Sequence, residues 1–243
     1  MPGRSPGRRG REGGAGDRRR AFVVAIDGPA GSGKSTTARL AAGRLGLRHL
    51  DTGAMYRAVA LACLDAGADP ADAGTMRRLL ARARVDIDWR AGVQRVFLDG
   101  RDVSRAIREP RVSGVVSEVS AVPAVRRAMV AVQRRVARGR EVVCEGRDIG
   151  SVVFPGAQVK VFLDCDLRAR TARRRAELAA AGVSTGQAAV RANLARRDRL
   201  DSGRAMSPLV RTPDAVLVDT TDLTIEEQVA VVCELVRRVR PLP

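Results

Sequence analysis

The sequence predicts an α/β fold in which helices flank a mainly parallel β-sheet. Apolar runs rich in β-branched residues occur at 21–26, 159–165 and 215–221, and such runs are typical of strands buried in a parallel sheet. Segments with helical apolar spacing separate these runs, which favours alternating strands and helices. A glycine-rich stretch, GPAGSGKST, joins the first run to the first helical segment. The 243 residues suffice to bury a sizeable core.

The glycine-rich stretch fits the phosphate-binding pattern GxxxxGK[ST]. Its glycines free the backbone so that successive N–H groups can point at phosphate oxygens, and the helix N-terminus adds a favourable dipole. In this pattern Lys34 reaches the β and γ phosphates, and the Ser35 hydroxyl binds Mg²⁺. A turn without a ligand is the alternative. The predicted loop comprises Gly28, Pro29, Ala30, Gly31, Ser32, Gly33, Lys34, Ser35 and Thr36.

The lysine of this loop is one of only two in a chain whose 44 basic residues are otherwise arginine. An ammonium is a compact point charge that the planar fork of arginine does not replace.

The phosphate-binding loop alone does not identify the reaction, because switches, motors and kinases share it. The sequence has no NKxD element, which disfavours a GTP-specific switch. With a single histidine, a general base would have to be a carboxylate. An acceptor that is itself a phosphate needs no base.

The net charge of +17 is concentrated in two places. Residues 1–20 carry seven arginines against two carboxylates without periodicity, which predicts a disordered basic tail. Residues 168–204 carry ten arginines against three carboxylates in sequence that predicts helices at about 167–181 and 186–200. Aromatic residues make up 2% of the chain, so base stacking on exposed rings is excluded as a main mode of nucleic-acid binding.

The cysteines and the single histidine suggest no metal centre. The four cysteines are scattered without a CxxC pair, which predicts buried free thiols. His49 has no nucleophile near it in sequence and is predicted to be structural. No apolar run is long enough to span a bilayer, and no secretory signal is visible, so we expect a cytoplasmic protein.

Four further motifs follow the loop in a fixed order. They are LDTGAMYR (50–57), SEVSAVPAVRRAM (117–129), VVCEGRDIGSVVFP (142–155) and RRDRLDSGRAMSPL (196–209). With GPAGSGKST, these motifs resemble the bacterial cytidylate kinases, which belong to the nucleoside-monophosphate kinases with a P-loop. The resemblance covers about residues 21–240. It implies a five-stranded parallel sheet flanked by helices, and reversible transfer of the ATP γ-phosphoryl group to CMP or dCMP with Mg²⁺.

The resemblance also implies roles for individual residues. Lys34 and Ser35, with the rest of the loop, would hold ATP and Mg²⁺. Arg57, Arg147 and Arg204 would clamp the acceptor phosphate and the group in transfer. The remaining implied contacts are those of Thr52, Arg126 and Asp148 with the cytosine and those of Ser117, Arg197 and Asp201 with the sugar.

Several of these residues have a structural alternative. Arg126 could be solvated helix surface, and Asp148 could simply pair with Arg147. Glu145 and Ser151 stand where this family often has Asp and Thr, which leaves a supporting role of Glu145 at the Mg²⁺ site open.

Residues 85–104 alternate apolar and polar residues twice, with turn signals at RAG and at Asp99-Gly100, and predict a small antiparallel sheet. Trp89 is predicted to pack this sheet rather than bind a base. The chain resembles the bacterial cytidylate kinases in this respect too, because they carry such a β insertion in the monophosphate-binding region. The alternative is that the small sheet is a structural elaboration without a role in function.

The predicted organisation is a tail (1–20), core segments (21–51, 120–166 and 206–243), a monophosphate-binding region (52–119) and a lid (167–205). Thr224 and Glu227 predict a capping box for the last helix.

Two rival functions remain open at this stage. One is another small-molecule kinase, acting on UMP or on a non-nucleotide acceptor. The other is an RNA-associated NTPase, suggested by the charge of +17. The expected partners are ATP, CMP and dCMP, with no membrane, no specific nucleic acid and a monomeric state.

Overall fold

The computed structural model describes residues 21–240. The predicted basic tail, residues 1–20, lies outside the described residues, as do residues 241–243. In chain order the elements are β1 (Val23–Asp27), α1 (Lys34–Leu45), β2 (Arg48–Asp51), α2 (Thr52–Asp65), α3 (Ala73–Arg82), β3 (Val85–Arg90), β4 (Val93–Leu98), β5 (Arg101–Asp102), α4 (Pro110–Ala121), α5 (Pro123–Ala137), β6 (Val142–Gly146), β7 (Val159–Asp164), α6 (Leu167–Ala180), α7 (Gln187–Gly203), β8 (Val216–Asp219) and α8 (Ile225–Val239). A 3₁₀ turn, Ala106–Arg108, precedes α4, and one turn of π-helix, Ile149–Val153, follows β6.

The main sheet has five parallel strands in the order β2-β6-β1-β7-β8. The predicted α/β fold with a five-stranded parallel sheet is therefore confirmed. All five residues of β1 are buried, because this central strand is covered by helices on both faces. Val23 and Ala25 face a core that includes side chains of α2, α4 and α5. Val24 and Ile26 face a second core, which includes side chains of α1 and α8.

The edge strand β8 differs from its prediction. The run at 215–221 was predicted to be a buried strand, and its parallel pairing with β7 is as expected. However, Val216 is 43% exposed and Leu217 is 48% exposed. A strand at the edge of a sheet has a neighbour on one side only, and an apolar run does not indicate which place in the sheet its strand takes.

Residues 85–102 form the predicted small antiparallel sheet, with strand order β3-β4-β5. Its two turns have positive φ at both central residues: Ala91 and Gly92 (48° and 75°), then Asp99 and Gly100 (51° and 80°). Two-residue hairpin loops favour this conformation, because its twist matches that of the strands. Both predicted turn signals, RAG and Asp99-Gly100, are thus confirmed as turns between strands.

The small sheet is attached to the free edge of β2 by side chains. The Trp89 indole N–H donates to the His49 carbonyl at 2.8 Å, and Trp89 packs against the larger core. The amide of Gln94 replaces a strand neighbour: its Oε1 accepts from the Asp51 N–H at 2.7 Å, and its Nε2 donates to the Asp51 carbonyl at 3.1 Å. Buried backbone groups need such partners, so the small sheet holds the end of β2 in place.

The two helices α6 and α7 match the predicted pair and carry most of the second basic cluster. Arg170 links them to the phosphate-binding loop, since its Nη1 lies 2.7 Å from an Asp198 carboxylate oxygen and 3.3 Å from the Ala30 carbonyl. Val190 and Leu194 pack with Ala30 in a small apolar cluster. The division of the chain into core, monophosphate-binding region and lid stays a prediction.

Smaller features also agree with the sequence analysis. All four cysteines are buried free thiols, α5 begins at Pro123, and Thr224 and Glu227 form the predicted capping box of α8. Within residues 21–240, none of the helices is both long enough and apolar enough to cross a membrane.

Replacement of Gln94 by leucine should destabilise the protein. The change leaves the Asp51 N–H and carbonyl without their side-chain partner, and an unpaired buried backbone group costs about 1–3 kcal/mol. The free energy of unfolding, measured by urea denaturation, should fall by that amount. The same substitution at exposed Gln187, the first residue of α7, should change it by less than about 0.5 kcal/mol. Equal effects at the two sites would show that the Gln94 contacts contribute nothing.

Candidate active site

The loop between β1 and α1 has the backbone geometry of a phosphate cradle. Gly33 caps α1 with φ 91°, and a Cβ there would lie 2.6 Å from Gln228 Oε1. Gly28 has φ 147°, and a Cβ there would lie 2.1 Å from the Leu163 carbonyl oxygen. Neither position can hold a side chain without displacing its neighbour. The first N–H groups of α1 are therefore presented at the end of a buried strand, where an anion is favoured.

Lys34 is almost completely buried in this loop, at 4% exposure. Its ammonium donates to the Pro29 carbonyl at 2.5 Å and to the Ser32 hydroxyl at 3.2 Å. Burial, and secondarily the charge of Arg147, holds the pKa of Lys34 well below its usual value. A buried cation with too little negative charge around it favours an incoming anion.

Ser35 lies next to the carboxylate expected near Mg²⁺. Its hydroxyl donates to Glu145 Oε2 at 2.7 Å, and the other oxygen, Oε1, lies 3.1 Å from His49 Nε2. Hydroxyl and carboxylate oxygens are ligands or hydrogen-bond partners that suit Mg²⁺ and its water shell, so the residues present fit the metal. The only histidine of the chain orients a carboxylate here, in line with the structural role predicted for it.

The N-terminus of α2 brings a second motif to the same place. Asp51 caps this helix by accepting from the Ala54 N–H at 3.0 Å, and its other oxygen accepts from Arg108 at 2.9 Å. Thr52 donates to the Glu145 carbonyl at 2.7 Å. One turn further on, Arg57 donates to the Ser113 hydroxyl at 2.8 Å. The cap thereby fixes the directions in which Thr52 and Arg57 leave the helix.

Two of the predicted arginines share one carboxylate. Arg147 Nε donates to Asp201 Oδ2 at 2.8 Å, and Arg204 Nη1 lies 3.5 Å from Asp201 Oδ1. Burial alone would raise the pKa of Asp201, but the charges of Arg147 and Arg204 hold this pKa below its usual value. Asp201 therefore stays ionised and joins α7 to Arg147, which directly follows β6.

The other predicted pair is Arg126 with Asp148. Their side chains are 2% and 3% exposed, with Arg126 Nη2 2.5 Å from Asp148 Oδ2. Arg126 is thus not solvated surface, and Asp148 does not pair with Arg147; both alternatives weighed from the sequence are wrong. The guanidinium also lies over the Tyr56 ring, 5.1 Å from its centroid. Burial, followed by the charge of Asp148, raises the pKa of Tyr56 to about 12, so its hydroxyl stays protonated.

One pocket of about 320 Å³ connects these groups. All nine residues predicted to contact the acceptor line it: Thr52, Arg57, Ser117, Arg126, Arg147, Asp148, Arg197, Asp201 and Arg204. From the phosphate-binding loop, Ala30, Gly31 and Gly33 to Thr36 line it as well, whereas Gly28, Pro29 and Ser32 do not.

Sequence reasoning missed several lining residues, among them Asp51, Tyr56, Arg108 and Arg174. Asp51 and Tyr56 lie within the quoted motif DTGAMYR, where a cap and an aromatic ring could have been noted. Arg174 is one of many arginines in a helix, and Arg108 belongs to no motif, so neither offers a local signal.

Comparison with known proteins decides the family. The family model described as cytidylate kinase matches residues 24–238. A cytidylate kinase of Mycolicibacterium paratuberculosis is 49% identical over 217 residues, covering 89% of this chain and 95% of that protein. Those of Pelotomaculum thermopropionicum (49% over 210 residues, 86% and 93% covered) and Symbiobacterium thermophilum (46% over 225 residues, 92% and 98% covered) are similarly close. The chain belongs to the cytidylate kinase family.

Membership of this family agrees with the excess of positive charge in the pocket. Burial, and then the charge of Arg147, lowers the pKa of Arg197 to about 10. Burial and the charge of Arg108 lower the pKa of Arg57. Within residues 21–240, Arg197 Nε and Arg204 Nη2 are buried without a hydrogen-bond partner. These cations would each gain from a bound phosphate, as expected for a nucleotide kinase.

Removal of Asp148 should destabilise the protein strongly. Asp148→Ala leaves the Arg126 charge buried without its partner, which costs about 3–5 kcal/mol. Urea denaturation should show this loss, and the double variant Arg126→Met, Asp148→Leu should recover much of it. As a control, Arg135→Ala breaks an ion pair with Asp86 whose side chains are 61% and 59% exposed, and should cost less than about 1 kcal/mol. A loss no larger than the control's would mean that water solvates Arg126.

Proposed function

We propose that this protein transfers the γ-phosphoryl group of ATP to CMP or dCMP, giving ADP and CDP or dCDP. The observation that carries this proposal is the single pocket that joins a buried lysine in a phosphate-binding loop to a buried Arg126–Asp148 pair. A triphosphate fits the first end, and a polar base fits the second. The family, and the three relatives named above as cytidylate kinases, support the same reaction.

At the donor end, the loop would hold the ATP phosphates through its backbone N–H groups. Lys34 lies within the loop and would turn its ammonium from the Pro29 carbonyl to the β and γ phosphates. Ser35 would bind Mg²⁺, with Glu145 accepting from the hydroxyl or from a metal-bound water. When bound, Mg²⁺ offsets the negative charge of the phosphates and helps to orient them.

At the acceptor phosphate, Arg57, Arg147 and Arg204 would act as a cationic clamp. Phosphoryl transfer depends mainly on positioning and charge, because the attacking phosphate oxygen is already anionic and needs no base. Asp201 holds Arg147 and Arg204 in a fixed relation to each other. This preorganised positive charge would stabilise the charge spread over the group in transfer.

The base and the sugar of the acceptor would be recognised by residues on the other side of the arginine clamp. Asp148 offers a carboxylate that can accept from the exocyclic amine of cytosine, and Arg126 offers a donor. The Thr52 hydroxyl donates its proton to the Glu145 carbonyl and would offer the base an acceptor oxygen. The remaining proposed contacts are Ser117, Arg197 and Asp201 with the sugar, and all three line the pocket. A uracil carbonyl in place of the amine would face the Asp148 carboxylate without a donor, which disfavours UMP.

The segment 167–205 would act as a lid that excludes water from the reaction. Arg197 and Arg204 lie on this segment and line the pocket with the loop. Closure prevents water from accepting the phosphoryl group. The segment carries ten arginines against three carboxylates, so bound nucleotides would favour the closed form by neutralising its charge. We further propose that the protein acts as a monomer in the cytoplasm.

ADP release across a panel of monophosphates tests the proposal. CMP and dCMP should give the highest kcat/KM, UMP a lower value, and AMP little above background. Preference for UMP, or no monophosphate turnover at all, would contradict it.

The RNA-associated alternative predicts salt-sensitive RNA binding that survives deletion of residues 1–20, with ATP hydrolysis stimulated by RNA. The kinase proposal instead predicts that CMP phosphorylation survives this deletion.

Lys34→Ala should lower kcat for CMP phosphorylation by about 10²–10³-fold, because a preorganised charge on the transferring group is lost. Lys34→Arg should restore little, since the buried site admits an ammonium and not a planar guanidinium. The control is Arg238→Ala, which removes a cation that pairs with Glu234 at 3.1 Å on the exposed face of α8. This control should keep kcat within about twofold. Near-normal turnover of Lys34→Ala would rule out this lysine as the phosphate-binding group.

A further inference from the structure

Asp27 is a buried carboxylate that the proposed function does not use. It is the last residue of β1 and lies directly before Gly28 of the phosphate-binding loop. Its side chain accepts two backbone hydrogen bonds: Oδ1 from the Ile149 N–H at 2.8 Å, and Oδ2 from the Gly150 N–H at 2.7 Å. Both donors directly follow Arg147 and Asp148. One carboxylate thus connects the beginning of the donor loop with the end of the acceptor motif.

Burial of this charge is costly, which suggests that the contact serves more than stability. Asp27 is 5% exposed, and burial raises its pKa to about 6, although the Gly150 and Ile149 N–H groups oppose this rise. A neutral amide would lose less solvation free energy. An amide, however, offers one acceptor and one donor group, whereas two N–H groups facing the side chain require two acceptors.

The two hydrogen bonds fix the backbone beside Asp148. The Ile149 N–H belongs to the planar peptide unit that joins Asp148 to Ile149, so holding it fixes that plane. The carbonyl of the same unit accepts from the Val152 and Val153 N–H groups at 2.9 and 3.0 Å. Both ends of the peptide are therefore held, and with them the direction in which the Asp148 side chain leaves the backbone.

We propose that Asp27 is a positioning residue for the acceptor nucleotide, acting through the Asp148–Ile149 peptide. It lies beside the donor loop, yet its removal should disturb the reading of the acceptor base more than the binding of ATP. This inference rests on the proposed function, because it takes Asp148 as the residue that reads the base. Asp27 itself does not line the pocket.

Asp27→Asn tests the inference, because it keeps the size of the side chain and replaces one acceptor with a donor. A lost hydrogen bond to a charged group corresponds to a change of about tenfold or more in an equilibrium constant. KM for CMP should therefore rise by about tenfold, and the preference for CMP over UMP should fall. The dissociation constant of ATP, measured by calorimetry without acceptor, should change by less than about twofold.

A second variant removes one acceptor without adding an amide. Asp27→Ser carries no charge and keeps a single hydroxyl oxygen that can accept from one of the two N–H groups. It should therefore give the same changes in KM and base preference, and it decides the matter if Asp27→Asn does not fold. In both variants, hydrogen exchange of the amides at 146–153 should be faster than in the unchanged protein.

The control is Thr224→Ala, which removes the capping box of α8 and lowers stability without touching the acceptor loop. It should leave KM for CMP and the base preference unchanged. A wild-type protein that does not phosphorylate CMP would overturn the proposed function itself. If the wild-type protein is active, an unchanged KM and preference in the variants overturns the role of Asp27. An equal loss of ATP binding does so as well.

Discussion

The site depends on holding many cations around one small pocket without enough negative charge to balance them. Lys34 and several guanidiniums line about 320 Å³, and like charges repel strongly where water is scarce. Asp148 and Asp201 offset part of this charge and fix the geometry of their partners. Burial, and after it the charge of Arg147, holds the pKa values of Lys34 and Arg197 below their usual values, and the charge balance of the pocket stays incomplete. Bound phosphates would complete it, so the same imbalance that costs stability favours nucleotide binding.

The sheet register determines where these charges meet. Asp27 pairs with Gly146, and Asp51 pairs with Glu145, so three strands end at the same level with a carboxylate on or beside their last residue. Each carboxylate has a different task. Asp27 accepts from the Ile149 and Gly150 N–H groups, Asp51 caps α2, and Glu145 accepts from Ser35. Ligands in parallel sheets bind at these carboxyl ends, and here the register places the phosphate-binding loop beside Arg147 and Asp148.

The structural features that the sequence predicts are those that depend on residues close together in the chain. The phosphate-binding loop, the two turns of the small sheet and the capping box at Thr224 each follow from a few adjacent residues. Contacts between distant segments have no such signal. The Arg126–Asp148 pair joins α5 to the end of β6, and nothing in either motif shows which arginine Asp148 meets. The exposure of β8 likewise depends on its place in the sheet, and the role of Asp27 depends on a backbone contact 122 residues away in sequence.

The use of lysine in an arginine-rich chain follows from the space available at each position. Both lysines are largely buried, Lys34 at 4% and Lys160 at 9% exposure, and each ammonium has few, closely placed acceptors. A guanidinium carries five donors in a fixed plane and needs acceptors on several sides when it is buried. Arg126 and Arg147 each meet part of that need with a carboxylate and a carbonyl. Both acceptors of Lys34, the Pro29 carbonyl and the Ser32 hydroxyl, lie within the loop itself. A compact ammonium on a flexible stem suits this tight site, which explains why the loop keeps a lysine in an arginine-rich chain.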